Sequence, residues 1–484
     1  MKLRKNIAFG LFGLLLTTQF TIPSKAQTNS NFAPTVACRQ ELAQDIEAII
    51  NRPQFKRSRW GIFLQNLDTA DTIYTQEGDK FFIPASTVKL LTTAAALNEL
   101  GADFRITTPI YATGELPYLK TVRIEGQGDP TITSDILKNI VQEFKKLGIS
   151  KIDKLIIDDS YFSQPVINPT WEWLDTYYYY APPVNSTILN ENTARLTLSP
   201  GQIGQPIKWQ WNDTIAGQQW QVFNQGITAT VNTDYSIEID GKLGQNTLNI
   251  RGELPQDNQK DNWDIAILEP ANYFLSTFSA LLAAEGIAVN QGIVNTKKNN
   301  ILDERIIAQI YSPPLKKIIT EINQDSNNLY AEAILKVLAK RLNTNDEIEA
   351  LEISLNKLGI TPDNYSLSDA SGLSRQNLIT PETLVDILAK VAKTDRTDIF
   401  QNSLSVAGNN GTLKNRLTNI KSPNSFLGKT GSLSGVITLS GYLKLSNQEI
   451  GVAILVNNFD DKNRIARQAI DEIVMLLPEF YNCV

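Results

Sequence analysis

Three short patterns carry the residue types needed to make and break an acyl bond: Ser86-Thr87-Val88-Lys89, Ser326-Asn327-Asn328 and Lys429-Thr430-Gly431-Ser432. A serine hydroxyl needs a base to become a nucleophile, and the 484 residues include no histidine. That absence removes Ser-His-Asp and Cys-His pairs and the usual His-containing zinc and iron sites. Two cysteines cannot build a four-cysteine cage. The proton carrier is left to Lys, Asp, Glu, Tyr, or a serine paired with one of them. At i and i+3 of a helix, Ser86 and Lys89 share a face. Lysine can then serve as base if burial or a second cation brings its pKa down from about 10.4 toward neutrality. A helix N-terminus beside Ser86 adds backbone N–H donors and a positive dipole end.

Each pattern alone is weak. Ser354-Leu355-Asn356-Lys357 repeats the first in an amphipathic helix, and Ser422-Pro423-Asn424 repeats the second. Ser86 and Ser326 also read as simple helix N-caps. Gly428-Lys429-Thr430 is not a phosphate loop, because Pro423 stands where the earlier glycine is required. Gly126-Gln127-Gly128 is not a dinucleotide fingerprint, because Thr131 replaces the third glycine. The three motifs in this order are far more specific than any one.

Hydrophobic periodicity predicts the elements that must hold them. Residues 40–50 have helical spacing, 60–66 and 72–76 read as a hairpin, and Pro84-Ala85-Ser86 opens a helix to about Leu100, closed by Gly101. From about Phe104 to Ile310 short β-rich runs dominate, at 122–125, 155–158, 195–198, 207–211, 229–232 and 248–250, with one helix at 271–284. Helices return at 318–322, 327–342, 347–358 and 381–393, followed by strands 435–445 and 449–457 and a helix at 463–476. The third motif leads into the strand beginning near Gly435. The expectation is an α/β multi-domain protein: one domain formed by 36–104 and 311–484, split by a β-rich insertion at 105–310.

The first 26 residues read as a secretory signal: Lys2, Arg4 and Lys5, an apolar stretch from Ile7 to about Phe20, and Ser24-Lys25-Ala26 before the cleavage point. No other long apolar run follows, so no transmembrane segment is expected after cleavage. The signal carries four basic residues and no acid, so the formal charge falls from −6 for the chain to −10 from Gln27 onward. That balance does not suit nucleic acid binding. Cys38 and Cys483 lie at the two ends of the exported chain. An even pair in an exported protein suggests a disulfide, with two unpaired thiols as the alternative. The disulfide requires the chain ends to meet, as a split domain also does.

The ordered set S-x-x-K, S-x-N and K-T-G resembles that of the penicillin-binding active-site-serine acyltransferases. The 240 residues between Ser86 and Ser326 are too many for a compact β-lactamase. The neighbouring phrases Gly126-Gln127-Gly128-Asp129-Pro130, Trp171-Glu172-Trp173-Leu174-Asp175, Ala181-Pro182-Pro183, Ser326 through Glu332, Asp369-Ala370-Ser371-Gly372-Leu373-Ser374-Arg375 and Gly428 through Leu433 are similar to the D-alanyl-D-alanine carboxypeptidase/endopeptidase family. These are the class C low-molecular-mass penicillin-binding proteins (peptidase family S13). The resemblance implies a serine β-lactamase/DD-transpeptidase-like α/β domain and an insertion of two nested domains, the inner one at about 190–262.

It further implies an envelope or periplasmic enzyme acting on peptidoglycan peptides and inhibited by β-lactams, with no cofactor or metal. Ser86 would attack and Lys89 take its proton. Ser326 would relay a proton to the leaving amine. Asn328 would bind the substrate backbone, and Lys429 and Thr430 the terminal carboxylate. Lys429 would also help keep Lys89 neutral. Gly431 would let the substrate lie against the strand, and the backbone of Ser432 would join that of Ser86 in the oxyanion hole. Asp175 and Tyr180 would face the distal amine of a diaminopimelate side chain, and Arg375 the substrate at the cleft rim; Asp175 also reads as a loop carboxylate beside a packing patch, and Arg375 as a structural donor under the cleft. A serine β-lactamase shares the nucleophile, and a non-catalytic peptidoglycan-binding envelope protein is the alternative of a different class.

Overall fold

The computed structural model describes residues 33–298, 301–460 and 462–480. The expected export signal, residues 1–26, and Cys483 lie outside the described residues. A six-stranded sheet runs in the order Ser405–Val406, Ser425–Leu433, Val436–Lys444, Glu449–Asn457, Arg59–Asn66, Thr72–Gln76, every neighbour antiparallel. Sequence-distant segments meet in it, because Arg59–Asn66 pairs with Glu449–Asn457. The central strands are buried almost without alternation, as expected when helices cover both faces. One face carries Ala33–Ile50 and Asn463–Glu479, whose Leu42, Ile46, Ile470 and Ile473 share a core. The other carries Lys89–Leu100, Asn328–Leu342, Glu347–Lys357 and Pro381–Ala392. The first and last helices pack on one another, and Cys38 is not a free thiol.

The insertion leaves and rejoins this domain through adjacent strands, Thr107–Glu115 and Arg305–Tyr311. At its base Leu315 N donates to Phe104 O at 2.8 Å and Ser312 N to Ile106 O at 2.9 Å. These two strands edge a five-stranded sheet with Tyr118–Glu125, Lys151–Asp158 and Ala288–Asn295. Smaller sheets occupy the stretch between Thr193 and Ala266.

Two expectations are corrected. The insertion holds a second long helix that the periodicity did not disclose: Ser134–Lys146 packs beside Pro270–Ala284 over the five-stranded sheet. Only Leu137, Ile140, Val141 and Phe144 of that helix are buried, a narrow stripe among charged residues that gives a thin periodic signal. The Lys429 motif does not lead into a later strand; it lies within its own strand, Ser425–Leu433. Gly428, Gly431 and the charged Lys429 obscure the β pattern, since glycine and lysine are depleted in strands.

Candidate active site

The first motif sits where a 3-10 turn, Ala85–Val88, runs into helix Lys89–Leu100. Ala85 has φ +47, a region sparsely populated by residues with a Cβ. Pro84 O, which accepts from Thr87 Oγ1 at 2.7 Å and Thr438 Oγ1 at 2.8 Å, ties this turn to the sheet. Ser86 does not cap the helix. Its Oγ accepts from Lys89 Nζ at 3.1 Å.

Lys89 is completely buried. Its Nζ also donates to Asn328 Oδ1 at 2.6 Å and Ser371 O at 2.5 Å. Burial pushes its pKa down to about 7, with Asp369 and Glu332 pulling the other way. A group poised there can hold or release a proton near neutrality. The repulsion expected of Lys429 acts in the opposite sense: burial and then Lys89 push Lys429 well below its ordinary value.

The second and third motifs meet Ser86 from the other side. Asn327, not Ser326, caps helix Asn328–Leu342, its Oδ1 accepting from Tyr330 N at 3.1 Å. Ser326, at φ +60, turns into the cleft, where Lys429 Nζ donates to its Oγ at 2.8 Å. Asn328 Nδ2 donates to Tyr180 O at 2.7 Å. Lys429 is fully buried, and its Nζ also donates to Thr430 O at 2.7 Å. It therefore lies behind Thr430 rather than in the cleft. Strand Ser425–Leu433 pairs on its outer side only through Leu427 and Gly428, which leaves the edge of residues 429–433 open beside Ser86. At Gly431 a Cβ would stand 2.9 Å from both Pro84 O and Ser86 N, so glycine is what allows that approach.

Residues 368–377, of which only Arg375 was assigned a role from the sequence, form the wall behind Lys89. The buried Asp369 is their hub: Oδ1 accepts from Gly372 N and Asn377 Nδ2, both at 2.7 Å, and Oδ2 from Ser374 N at 2.6 Å and Trp171 Nε1 at 2.9 Å. Glu332, one turn after Asn328, accepts from Ala370 N at 3.0 Å and Ser371 N at 2.8 Å. Burial, reinforced by Asp369, pushes its carboxyl up to about 8. Glu332 is thus mostly protonated at the pH where Lys89 gives up its proton, so Glu332→Gln should leave the rising limb of β-lactam acylation near pH 7. Glutamine keeps the acceptor for both N–H groups, so a pH profile of acylation separates charge from bracing. A limb moved to lower pH would show instead that a Glu332 charge acts on Lys89.

The third group of expected residues also comes together. Asp175, Tyr180 and Arg375 line one cleft of about 620 Å³ with Ser86, Ser326 and Ser432. Tyr180 Oη donates to Asp175 Oδ1 at 2.9 Å. Burial raises the Asp175 pKa against that hydrogen bond. Arg375 both faces the cleft and braces it, donating to Glu172 Oε1 at 2.8 Å and Ser434 O at 2.9 Å.

Residues 42–478 match the D-Ala-D-Ala carboxypeptidase 3 (S13) family. The chain belongs to this family. Over 486 aligned residues it is 27% identical to the D-alanyl-D-alanine carboxypeptidase of Actinomadura sp. (strain R39), with 95% of this chain and 89% of the relative covered. Among solved structures it is similar to penicillin binding protein 4 from Haemophilus influenzae, with TM-score 0.79, 24% identity, and 90% and 99% of the two chains covered. The same protein complexed with a novel β-lactam gives TM-score 0.74, 23% identity, and 90% and 98%. These likenesses show the mixed α/β, multi-domain S13 fold. Among the described residues no helix is long and apolar enough to cross a membrane.

Proposed function

We propose that this chain is a serine D-alanyl-D-alanine carboxypeptidase and endopeptidase that cleaves peptidoglycan stem peptides and cross-bridges through an acyl-enzyme on Ser86. The observation that carries the reading is the buried Lys89 amine, 3.1 Å from Ser86 Oγ and held near neutrality. As the neutral amine takes the hydroxyl proton, Oγ bonds to the carbonyl carbon of a D-alanyl residue. The oxyanion forms toward the backbone N–H groups of Ser86 and Ser432, donors fixed before reaction. The hydroxyl proton then leaves Lys89 and reaches the departing amine through Ser326, which Lys429 holds in place. Asn328 and the open edge at Gly431 hold the substrate backbone. Asp175, Tyr180 and Arg375 hold the side chain of the third stem residue. Water then cleaves the ester: its OH joins the acyl carbon and its proton passes by way of Lys89 to Ser86 Oγ, which leaves Lys89 neutral again.

A β-lactam enters the same first step and leaves slowly, so it reports on the site directly. We place the enzyme in the cell envelope, exported by residues 1–26 and closed at its ends by a Cys38–Cys483 disulfide. The test is incubation with benzylpenicillin and mass spectrometry of the adduct, with D-alanine release from a muropeptide measured in parallel. The expected outcome is one adduct, on Ser86, and stoichiometric D-alanine. An adduct elsewhere would overturn the assignment. Rapid turnover of the adduct would mark a β-lactamase, and absence of any adduct a binding protein.

A further inference from the structure

The cleft around Ser86 has two arms of opposite charge. Ser86, Ser326 and Ser432 border both. The larger arm presents Glu172, Asp175, Glu191, Glu321 and Asp325 against the single cation Arg375. The other, of about 340 Å³, is lined by two guanidinium groups, Arg416 and Arg467, by serine and threonine hydroxyls, and by no carboxylate.

The two arginines are not equivalent. Arg416 is matched: Nη2 donates to Asp471 Oδ1 at 2.6 Å and Nε reaches both carboxylate oxygens at 3.2 Å. Arg467, one turn before Asp471 on the same helix, makes no ion pair among the described residues. Its Nη2 donates only weakly to Ser432 Oγ, at 3.3 Å. Two guanidiniums thus share one carboxylate, which leaves an excess of one positive charge at the rim. Burial and Arg416 both weigh against the charge of Arg467, so an arriving anion would relieve an existing cost. Lys429 cannot meet that anion directly, because it is buried with Nζ bound to Ser326 Oγ and Thr430 O. Thr430 and Thr412, joined Oγ1 to Oγ1 at 2.8 Å, offer neutral hydroxyls on the same wall.

We propose that Arg467, backed by Arg416, binds the carboxylate of the departing amino acid and so decides which way round a substrate lies. The amine-bearing acyl half occupies the acidic arm, and the carboxylate-bearing leaving half occupies the basic one. The volume of the basic arm falls in the range of cavities that hold drug-sized ligands, roughly 300–1,000 Å³, which is more than a lone alanine needs. The arm therefore also admits a larger leaving group, such as the D-centre of a cross-linked stem with its own carboxylate. This rests on Ser86 being the nucleophile.

The test compares one acyl-D-Ala-D-Ala peptide, as the free acid and as the C-terminal amide, on the full-length exported protein. Wild type should prefer the acid. Arg467→Ala should lower the acid-to-amide ratio of kcat/KM about tenfold, the scale of one charge-assisted hydrogen bond. Arg467→Lys should recover part of the ratio, keeping charge but losing the planar fork. In wild type, free D-alanine should inhibit more strongly than D-alaninamide, a result that needs no variant to fold. An unchanged ratio in Arg467→Ala, with Ser86 still labelled by penicillin, would overturn the proposal alone. A wild-type protein that is neither labelled nor active on either peptide would overturn the reading beneath it.

Discussion

Lys89→Ala should reduce the rate of β-lactam acylation by roughly 10²–10⁴-fold, the usual contribution of a positioned general base, while the fold persists. The substitution removes a charge-prone amine from a site with no exposure. It leaves Asn328 Oδ1 and Ser371 O without the donor they share, at about 1–3 kcal/mol for each buried group left unpaired. A modest fall in melting temperature should accompany the much larger loss of rate. The sign of the pH dependence follows from the same amine. Below about 7 it carries a proton and cannot accept another, so wild-type acylation rises with pH through that region and no imidazole contributes. Time-resolved mass spectrometry of penicillin labelling reads both effects. Normal labelling of Lys89→Ala would remove Lys89 as base.

Gly372→Ala should be equally damaging for a steric reason. Gly372 has φ +81, and an added Cβ would lie 1.9 Å from Ala85 O, 2.4 Å from Ala85 C and 2.9 Å from Ser86 N. All three are backbone atoms, so either the turn holding Ser86 or the loop holding Ser371 O must move. Misplacement by about 1 Å can cost 10²-fold in rate, and the left-handed conformation alone costs roughly 1–2 kcal/mol for a residue with a Cβ. We expect acylation to drop at least about 10²-fold and thermal stability to fall. Gly286→Ala is the matched control. Its φ of +77 is similar, but nothing lies within 4 Å of the added Cβ, so it should lose stability and keep acylation. Equal acylation in the two variants would show that the contact with the Ser86 turn is unimportant.

What the sequence disclosed and what it hid divide along a physical line. Ser86, Lys89, Ser326, Asn328 and Lys429 were legible as a group because each motif names side-chain types at local spacing, and the fold brings those side chains within hydrogen-bond reach. The carbonyl of Ser371 was not, since a backbone atom leaves no mark on residue type. Nor was the role of Asp369, whose four donors converge from Gly372, Ser374, Asn377 and Trp171. Arg467 looked like any polar position of an amphipathic helix, because only the fold places it beside Ser432. The burial of Lys429 was concealed for a related reason: the motif names its residue type, while its position behind Thr430 depends on how three separate segments meet. The sheet was legible where alternation or apolar runs were clean, as in Glu449–Asn457, and failed at the glycine-containing Ser425–Leu433.

The insertion leaves and returns through neighbouring strands, the geometry of a segment that could be spliced in or out without opening the host. Yet it supplies Tyr180 O to Asn328 Nδ2, Trp171 Nε1 to Asp369, Asn168 Nδ2 to Ser368 O and Glu191 Oε2 to Asn327 Nδ2. Through these bonds it holds Asn328 and the Ser371 loop in place. The two halves therefore act as one mechanical unit at the site. A change in the wall that the insertion lends should displace Asn328 in the host, and the host without the insertion would need another acceptor for that asparagine's Nδ2.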